Sequence, residues 1–405
     1  MRKGRPPSTS DTTEEKFEEV AARVLPKEAG GGARRKGLTK TELVAAVCKA
    51  FTDGCTPAET CRRMESDFGI ILRREEPGIL WRYAARKGWF VFKPTEEVRL
   101  EIQLRTLYGW LENVAVVHTA VVDHVANRGA KLLVELIVKH AAQGVGKKEV
   151  HVGLSGGVAV WKVAKALARE IQSPIPGLPE TIVLHALVAG FDSEQPTTDP
   201  NAYISFFTNP EPLYVKVLPV NLRGPDIIVD RRNYEAFKTA RGIKKAFGAA
   251  KDLDIILTSA SDWGDPHNML RNYMAQCPET TAMLAAETPA GDILWRPFNE
   301  KGPIEIETEI RAMTLLELRH LPRFIERGKD VVLVLGPCGG CNEPKGRLLK
   351  ALLELDVSLF NHLVVDTRTV RQMMPADEKE ARQSDAAQDG TGARSDLLAP
   401  ADSRC

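Results

Sequence analysis

Three short apolar runs in this chain end in the same way. Val150 to Leu154 leads into Ser155-Gly156-Gly157, and Leu253 to Leu257 into Thr258-Ser259-Ala260-Ser261-Asp262. Val331 to Leu335 leads into Gly336-Pro337-Cys338-Gly339-Gly340. Strands that are mostly apolar suit a sheet buried on both faces, and parallel strands must be joined by crossovers, usually helical. The intervening sequence supplies them. Val160, Val163, Ala164 and Leu167 recur at helical spacing behind the first run. Further helices are expected at Val98 to Trp110, Val121 to Ala142 with an interruption around Gly129, Tyr234 to Phe247, Met269 to Met274 and Lys345 to Leu355. Further strands are expected at Val114 to Val117, Ile182 to Val188 and Leu363 to Val365. The pattern predicts an α/β domain with a parallel, Rossmann-like sheet, whose ligand sits at the carboxyl ends of the strands.

The first of those strand ends carries the chemistry. A strand that turns through small residues into a helix aims bare backbone N–H groups and the positive end of the helix dipole at one spot, which suits an anion such as phosphate. A tight turn that binds nothing accounts for Ser155-Gly156-Gly157 equally well. A nucleotide site does not, because neither the Walker nor the dinucleotide pattern is matched and no Walker lysine follows.

Charge divides the chain. Residues 1–95 hold 19 Lys/Arg against 13 Asp/Glu, a net +6, while the remainder carries −5. A basic front end points to an anionic partner for that part. Residues 1–37, rich in Pro, Gly and charge, are expected to be a disordered basic arm, within which Phe17, Val20, Val24 and Leu25 have the spacing of a transient helix. From Thr39 to Phe92 the pattern is helical. Leu43, Val44, Val47, Ala50 and Phe51 line one helix, and Thr56-Pro57-Ala58-Glu59 reads as the capped start of a second. A third contains Ile79, Leu80, Tyr83 and Ala84. Short helices joined by glycine-containing turns suggest a helix-turn-helix, with Arg73, Arg74, Arg82, Arg86 and Lys87 placed for DNA phosphates or base edges. A helical protein-interaction module with a solvated basic face fits the same residues, and Pro77-Gly78 is awkward early in a recognition helix.

No apolar run reaches membrane-spanning length, and Met1-Arg2-Lys3-Gly4-Arg5-Pro6-Pro7 lacks the apolar centre of a signal peptide, so a cytoplasmic protein is expected. The seven cysteines, Cys48, Cys55, Cys61, Cys277, Cys338, Cys341 and Cys405, do not resemble a secreted disulfide framework. Cys338-Gly339-Gly340-Cys341 supplies two metal ligands where a structural zinc site wants four, and Cys277 and His362 are remote in sequence. The spacing is read as small residues at a turn, with no metal expected.

Taken in order, these stretches resemble the SorC-type (SorC/DeoR-like) bacterial transcriptional regulators. Ile71-Leu72-Arg73-Arg74 and Ile79 to Trp89 are similar to that family's recognition helix and following strand, and Leu107 to Val117 to the start of its effector domain. Val152 to Gly157 resembles its glycine-rich loop and Asp254 to Ser259 its central strand. Gly291-Asp292-Ile293 is similar to its GDI segment. Leu333 to Gly340, with Lys345 after it, resembles its strand, glycine pair and effector-site lysine, and Leu363 to Thr367 finishes the pattern. The sequence departs in three places: Cys341-Asn342-Glu343-Pro344 separates the glycines from Lys345, the loop reads Leu154-Ser155-Gly156-Gly157 rather than the family's more frequent Gly-Trp-Gly form, and Asp192 to Pro212 resembles an insertion.

The resemblance implies a disordered arm over 1–37, a helix-turn-helix DNA-binding domain over 38–95, an isomerase-like sugar-binding effector domain over 96–374 and a disordered tail over 375–405. It also implies double-stranded operator DNA as a partner, a phosphorylated sugar or related metabolite as effector, a homodimer or homotetramer, and no cofactor. Ser155, Gly156 and Gly157 would hold the phosphate, Lys345 would meet it as a point charge, and Asp254, Ser259 and Asp292 would bond sugar hydroxyls. The alternative is a phosphosugar isomerase or deaminase of similar fold. That would need a general base, for which Asp254, Asp262, Asp265 and His267 are candidates.

Overall fold

The computed structural model describes residues 11–25, 38–53, 55–87, 95–143, 148–189, 199–208, 214–223 and 228–374. The expected tail and most of the expected arm lie outside these residues. The chain forms two compact units that divide between Lys93 and Pro94. No helix among the described residues is long and apolar enough to cross a membrane.

The first unit consists of α1 (Asp11–Val24), α2 (Lys40–Thr52), α3 (Pro57–Phe68) and α4 (Glu76–Arg86). Thr39 with Glu42 and Thr56 with Glu59 form capping boxes at α2 and α3, and Gly69 closes α3 in the left-handed region. Pro77 falls in the first turn of α4, where its missing N–H leaves no helical bond unmade.

The sequence placed 1–37 in a disordered arm; α1 corrects this for residues 11–24. Phe17, Val20 and Ala21 join Leu43, Val44, Val47, Met64, Leu80 and Ala84 in one core. Phe17 stacks on Tyr83, and Arg23 forms an ion pair with the buried Glu76 at the start of α4. An apolar stripe weak by itself becomes a stable helix once a tertiary surface covers it.

The second unit begins with α5 (Val98–Leu107), β1 (Asn113–Val117), α6 (Val122–Ala142), β2 (Glu149–Leu154), α7 (Val158–Glu170) and β3 (Thr181–Ala186). Next come α8 (Pro200–Tyr203), β4 (Lys216–Val220), β5 (Ile228–Asp230), α9 (Arg231–Thr239), α10 (Ile243–Ala249), β6 (Ile255–Thr258) and β7 (Ala260–Asp262). They are followed by α11 (Met269–Met274), α12 (Pro278–Ala286), β8 (Gly291–Ile293), β9 (Arg296–Asn299), β10 (Gly302–Pro303) and β11 (Ile310–Ala312). The unit ends with α13 (Leu321–Glu326), β12 (Asp330–Leu335), α14 (Gly346–Leu353), β13 (His362–Asp366) and α15 (Thr367–Met373).

Seven strands form one parallel sheet in the order β1-β13-β12-β6-β2-β3-β4. Strand alternation sorts the core into two layers. Val152, Leu154, Ile255, Leu257, Val332 and Val334 pack under α6 and α7, while Ile256, Val331, Leu333 and Leu335 face the layer that holds Leu348, Leu349 and Leu352 of α14. Helix α6 runs unbroken through Gly129, contrary to expectation. A Cβ there would lie 3.0 Å from Val334, so the glycine serves close packing of helix on sheet rather than a break. The helix expected over Tyr234 to Phe247 is instead two, split at Gly242 with its φ of 93°.

The chain runs outward from β2 through β3 to β4, then returns to β6 and runs outward the other way through β12 to β13. The order therefore reverses between β2 and β6, and a crevice opens there at the strands' carboxyl ends. Past that point β7 to β10 form an antiparallel sheet that the sequence reading missed. Its strands have two to four residues each, too short for a periodic signal.

Candidate functional site

The register aligns the three strand ends found in the sequence. Leu154 lies beside Leu257, and Thr258 beside Leu333. Over them lies a cavity of about 380 Å³, within the usual size range of small-molecule sites. Gly156, Gly157, Ser259, Asp292 and Lys345 all line it, as do Val158 and Ala159 from the first turn of α7. Gly157 stands at the N-cap of α7 with φ 112° and ψ 153°, a conformation that L side chains rarely adopt. No side chain caps this helix, so its leading N–H groups remain available beside the cavity.

Two expected ligand residues are elsewhere. Ser155 is buried and does not line the cavity; its hydroxyl donates to the Gly156 carbonyl at 3.2 Å, so it shapes the loop from behind. Asp254 precedes β6 and therefore lies at the opposite end of the sheet. Its carboxylate pairs with Lys329 at 2.8 Å and accepts the His151 N–H at 3.0 Å, which makes it a structural tie.

Asp292 and Lys345 bring charge to the cavity wall. Asp292 is buried on β8, opposite Ser261 of β7, and accepts a bond from Asn268 Nδ2 at 2.9 Å. Burial pushes its carboxyl up to about 7, against the lowering effects of Asn268 and the charge of Lys345. Arg296, its near neighbour in sequence, pairs with Glu317 at 2.7 Å instead. The Lys345 ammonium donates to the Ala260 carbonyl at 2.8 Å, and its backbone N–H is held by Thr369 of α15. Burial lowers its pKa, opposed by Cys338, Asp265, Asp292 and Asp262. The ammonium thus lines the cavity with the carboxyl groups of Asp265, Asp292 and Asp262 around it.

Tyr203 belongs to no motif legible in the sequence. It comes from the described part of the insertion-like segment, is fully buried, and donates its hydroxyl to the Gly157 carbonyl at 3.1 Å. The strained turn of the glycine loop is thus braced from outside the motif. Asp265 and His267, considered earlier only as bases, line the same wall next to Cys338. Asp262 does not line the cavity, and its carboxylate accepts the Gly264 N–H at 2.7 Å.

In the first unit, Arg73 and Arg74 are exposed in the turn between α3 and α4, and Arg82 is exposed on α4. Lys87 is engaged. It is exposed, donates to Glu14 of α1 at 2.8 Å and lies 5.5 Å from the Tyr83 ring centroid. The side chain of Arg86 and the strand expected after α4 lie outside the described residues.

The architecture has counterparts among solved structures. The full-length sorbitol operon regulator SorC from Klebsiella pneumoniae matches with a TM-score of 0.55 and 14% identity, over 83% of this chain and 99% of that one. A DeoR family transcriptional regulator from Listeria monocytogenes matches with a TM-score of 0.50 and 20% identity, over 68% of this chain and 99% of that one. A transcriptional regulator from Streptococcus pneumoniae TIGR4 gives 0.50 and 16%, over 70% and 97%. No family model matches the chain, and no curated protein matches it in sequence. The chain has the SorC/DeoR-type fold, as the resemblance implied.

Proposed function

We propose that this chain is a DNA-binding transcriptional regulator whose operator affinity is set by a phosphorylated sugar or related metabolite held in the cavity at the sheet's switch point. One observation carries the reading. The uncapped start of α7, the ammonium of Lys345 and the carboxyl of Asp292 face one cavity, in a chain that also has a helix-turn-helix unit with exposed arginines. N–H groups and an ammonium recognise phosphate. A buried carboxyl left unpaired is costly, so Asp292 would favour a ligand that offers hydroxyls. The ligand would act by binding one arrangement of a homodimer or tetramer better than another. Two-fold operators pair naturally with such an assembly. The reading calls on no cofactor for chemistry, and it places the protein in the cytoplasm.

The test has two arms. Thermal unfolding is measured against sugar phosphates and their unphosphorylated parents; at ~100 times Kd a true ligand stabilises by about 2.7 kcal/mol. Duplexes selected from a random pool are then challenged with that ligand. Retention of duplex that the phosphorylated ligand alone releases or strengthens is the expected result. No thermal shift together with no selected duplex would overturn the proposal.

The isomerase alternative retains one supporting observation, the hydrogen-bonded pair Asp265 and His267 on the cavity wall, 2.9 Å apart. Turnover of the stabilising sugar phosphate, abolished in Asp265→Asn, would favour it.

A further inference from the structure

We propose that Asp265, His267, Cys338 and Cys341 form a four-ligand site for a borderline-soft divalent ion, Zn²⁺ above all, which staples together two loops of the cavity wall. The sequence offered two ligands from Cys338 and Cys341; the fold delivers two more from a loop some seventy residues earlier. One ligand atom from each of the four lies within 4.8 Å of every other. The Cys338 sulfur is 3.7 Å from Nδ1 of His267. On a tetrahedral zinc with bonds of about 2.3 Å to sulfur and 2.05 Å to nitrogen, those two atoms stand about 3.6 Å apart. Nδ1 of His267 lies 2.9 Å from Asp265 Oδ1, a hydrogen-bond distance that an ion would open by about half an ångström.

With no ion bound, burial and the Asp265 carboxylate push the Cys338 thiol up to about 11, so its ligation would be coupled to loss of its proton. The backbone N–H groups of Gly340 and Cys341 are directed at the Cys338 sulfur, and such donors support a ligating thiolate. The close approach also depends on Gly340, because a Cβ there would lie 2.4 Å from the His267 ring. Two thiolates, an imidazole and a carboxylate leave no open position on a tetrahedral ion, so the role is structural. The joined loops are 263–268 and 336–345, the second of which ends in Lys345.

The full-length reduced protein is titrated with Zn²⁺, and with Co²⁺ as a spectroscopic probe. One ion per chain is expected, with sulfur-to-cobalt charge-transfer absorption and the intense visible bands of tetrahedral cobalt. Cys341 and His267 are exposed, so Cys341→Ser and His267→Ala should fold normally. Loss of an outer-shell partner weakens metal binding about 10–100-fold, and loss of either ligand should exceed ~100-fold. A variant with Cys48, Cys55, Cys61, Cys277 and Cys405 all changed to Ser should keep the ion and the bands. Substoichiometric metal in the reduced protein, or unchanged cobalt bands in Cys341→Ser, would overturn the proposal. The readout needs neither DNA nor effector, so its failure and that of the regulator reading are separable.

Discussion

The two ends of the parallel sheet use the same residue types in opposite ways. At the strands' amino ends, Asp254 and Asp330 are buried and fully engaged. Asp330 accepts from His140 at 2.8 Å, His362 at 2.9 Å and Lys139 at 3.1 Å. Burial would raise its pKa, but the bonds from His140, His362 and Lys139 outweigh that and hold it well below the usual carboxylate range. At the carboxyl ends, Asp292 is also buried, yet among the described residues only Asn268 donates a hydrogen bond to it, and its carboxyl rises to about 7. A carboxylate closed off by its own protein is a structural tie. One left short of donors beside a cavity is prepared for something else.

The difference can be broken first at the closed end. Asp330→Ala removes the shared acceptor of His140, His362 and Lys139, and breaking such a buried pair should cost about 3–5 kcal/mol in urea unfolding. Because Asp330 has a depressed pKa in the folded state, the stability it provides is present above the ordinary carboxylate range and is lost as pH falls from that range down through its lowered folded pKa. A loss under about 1 kcal/mol would mean that this end is not held by the network.

At the open end the sign reverses. Asp292 titrates at about 7 when folded against 3.8 in its ordinary state, so the folded state holds the proton more tightly. Stability is therefore lost as pH rises from about 4 to 7, and the deficit stays constant above that. Asp292→Asn should match wild type near pH 4 and exceed it by on the order of 2–4 kcal/mol at pH 8, while losing the ligand's thermal shift. Equal stability at both pH values would erase the contrast between the two ends.

Lys345→Gln should leave unfolding nearly unchanged and weaken a phosphorylated ligand about 10–100-fold by calorimetry, the usual scale of a charge-assisted bond. An equal loss for the unphosphorylated parent would reassign the lysine. The smallest effect is expected at Gly157→Ala. Its backbone conformation should cost about 1–2 kcal/mol of stability or be relieved by a shift of the loop that weakens ligand binding. Tyr203→Phe, which removes the bond to the Gly157 carbonyl, should move ligand affinity in the same direction.

How far the site was legible depended on the distance over which each residue finds its partners. Gly156, Gly157 and Ser259 were legible because they follow strands within a few residues. Asp254 was misplaced although the signal was present: it precedes its strand, and in a parallel sheet residues before strands gather at the end away from the ligand. Ser155 was right in position and wrong in direction, since a side chain's orientation at a strand end depends on what packs around it. The ion pair of Lys87 was not legible in one dimension. Its partner Glu14 is 73 residues away.

The sequence alone determined the alternation of strand and helix, the polar ends of three strands and the basic helical front. Hydrophobic period, capping and glycine act over a few residues and can be read there. The tertiary structure decided which carboxylates are neutralised, that α1 packs on the helical unit, that Tyr203 braces the glycine loop, and that Asp265 and His267 meet Cys338 and Cys341. Each of these needs groups separated by tens of residues to share a desolvated space, and burial and charge at one point depend on where every neighbouring element comes to rest.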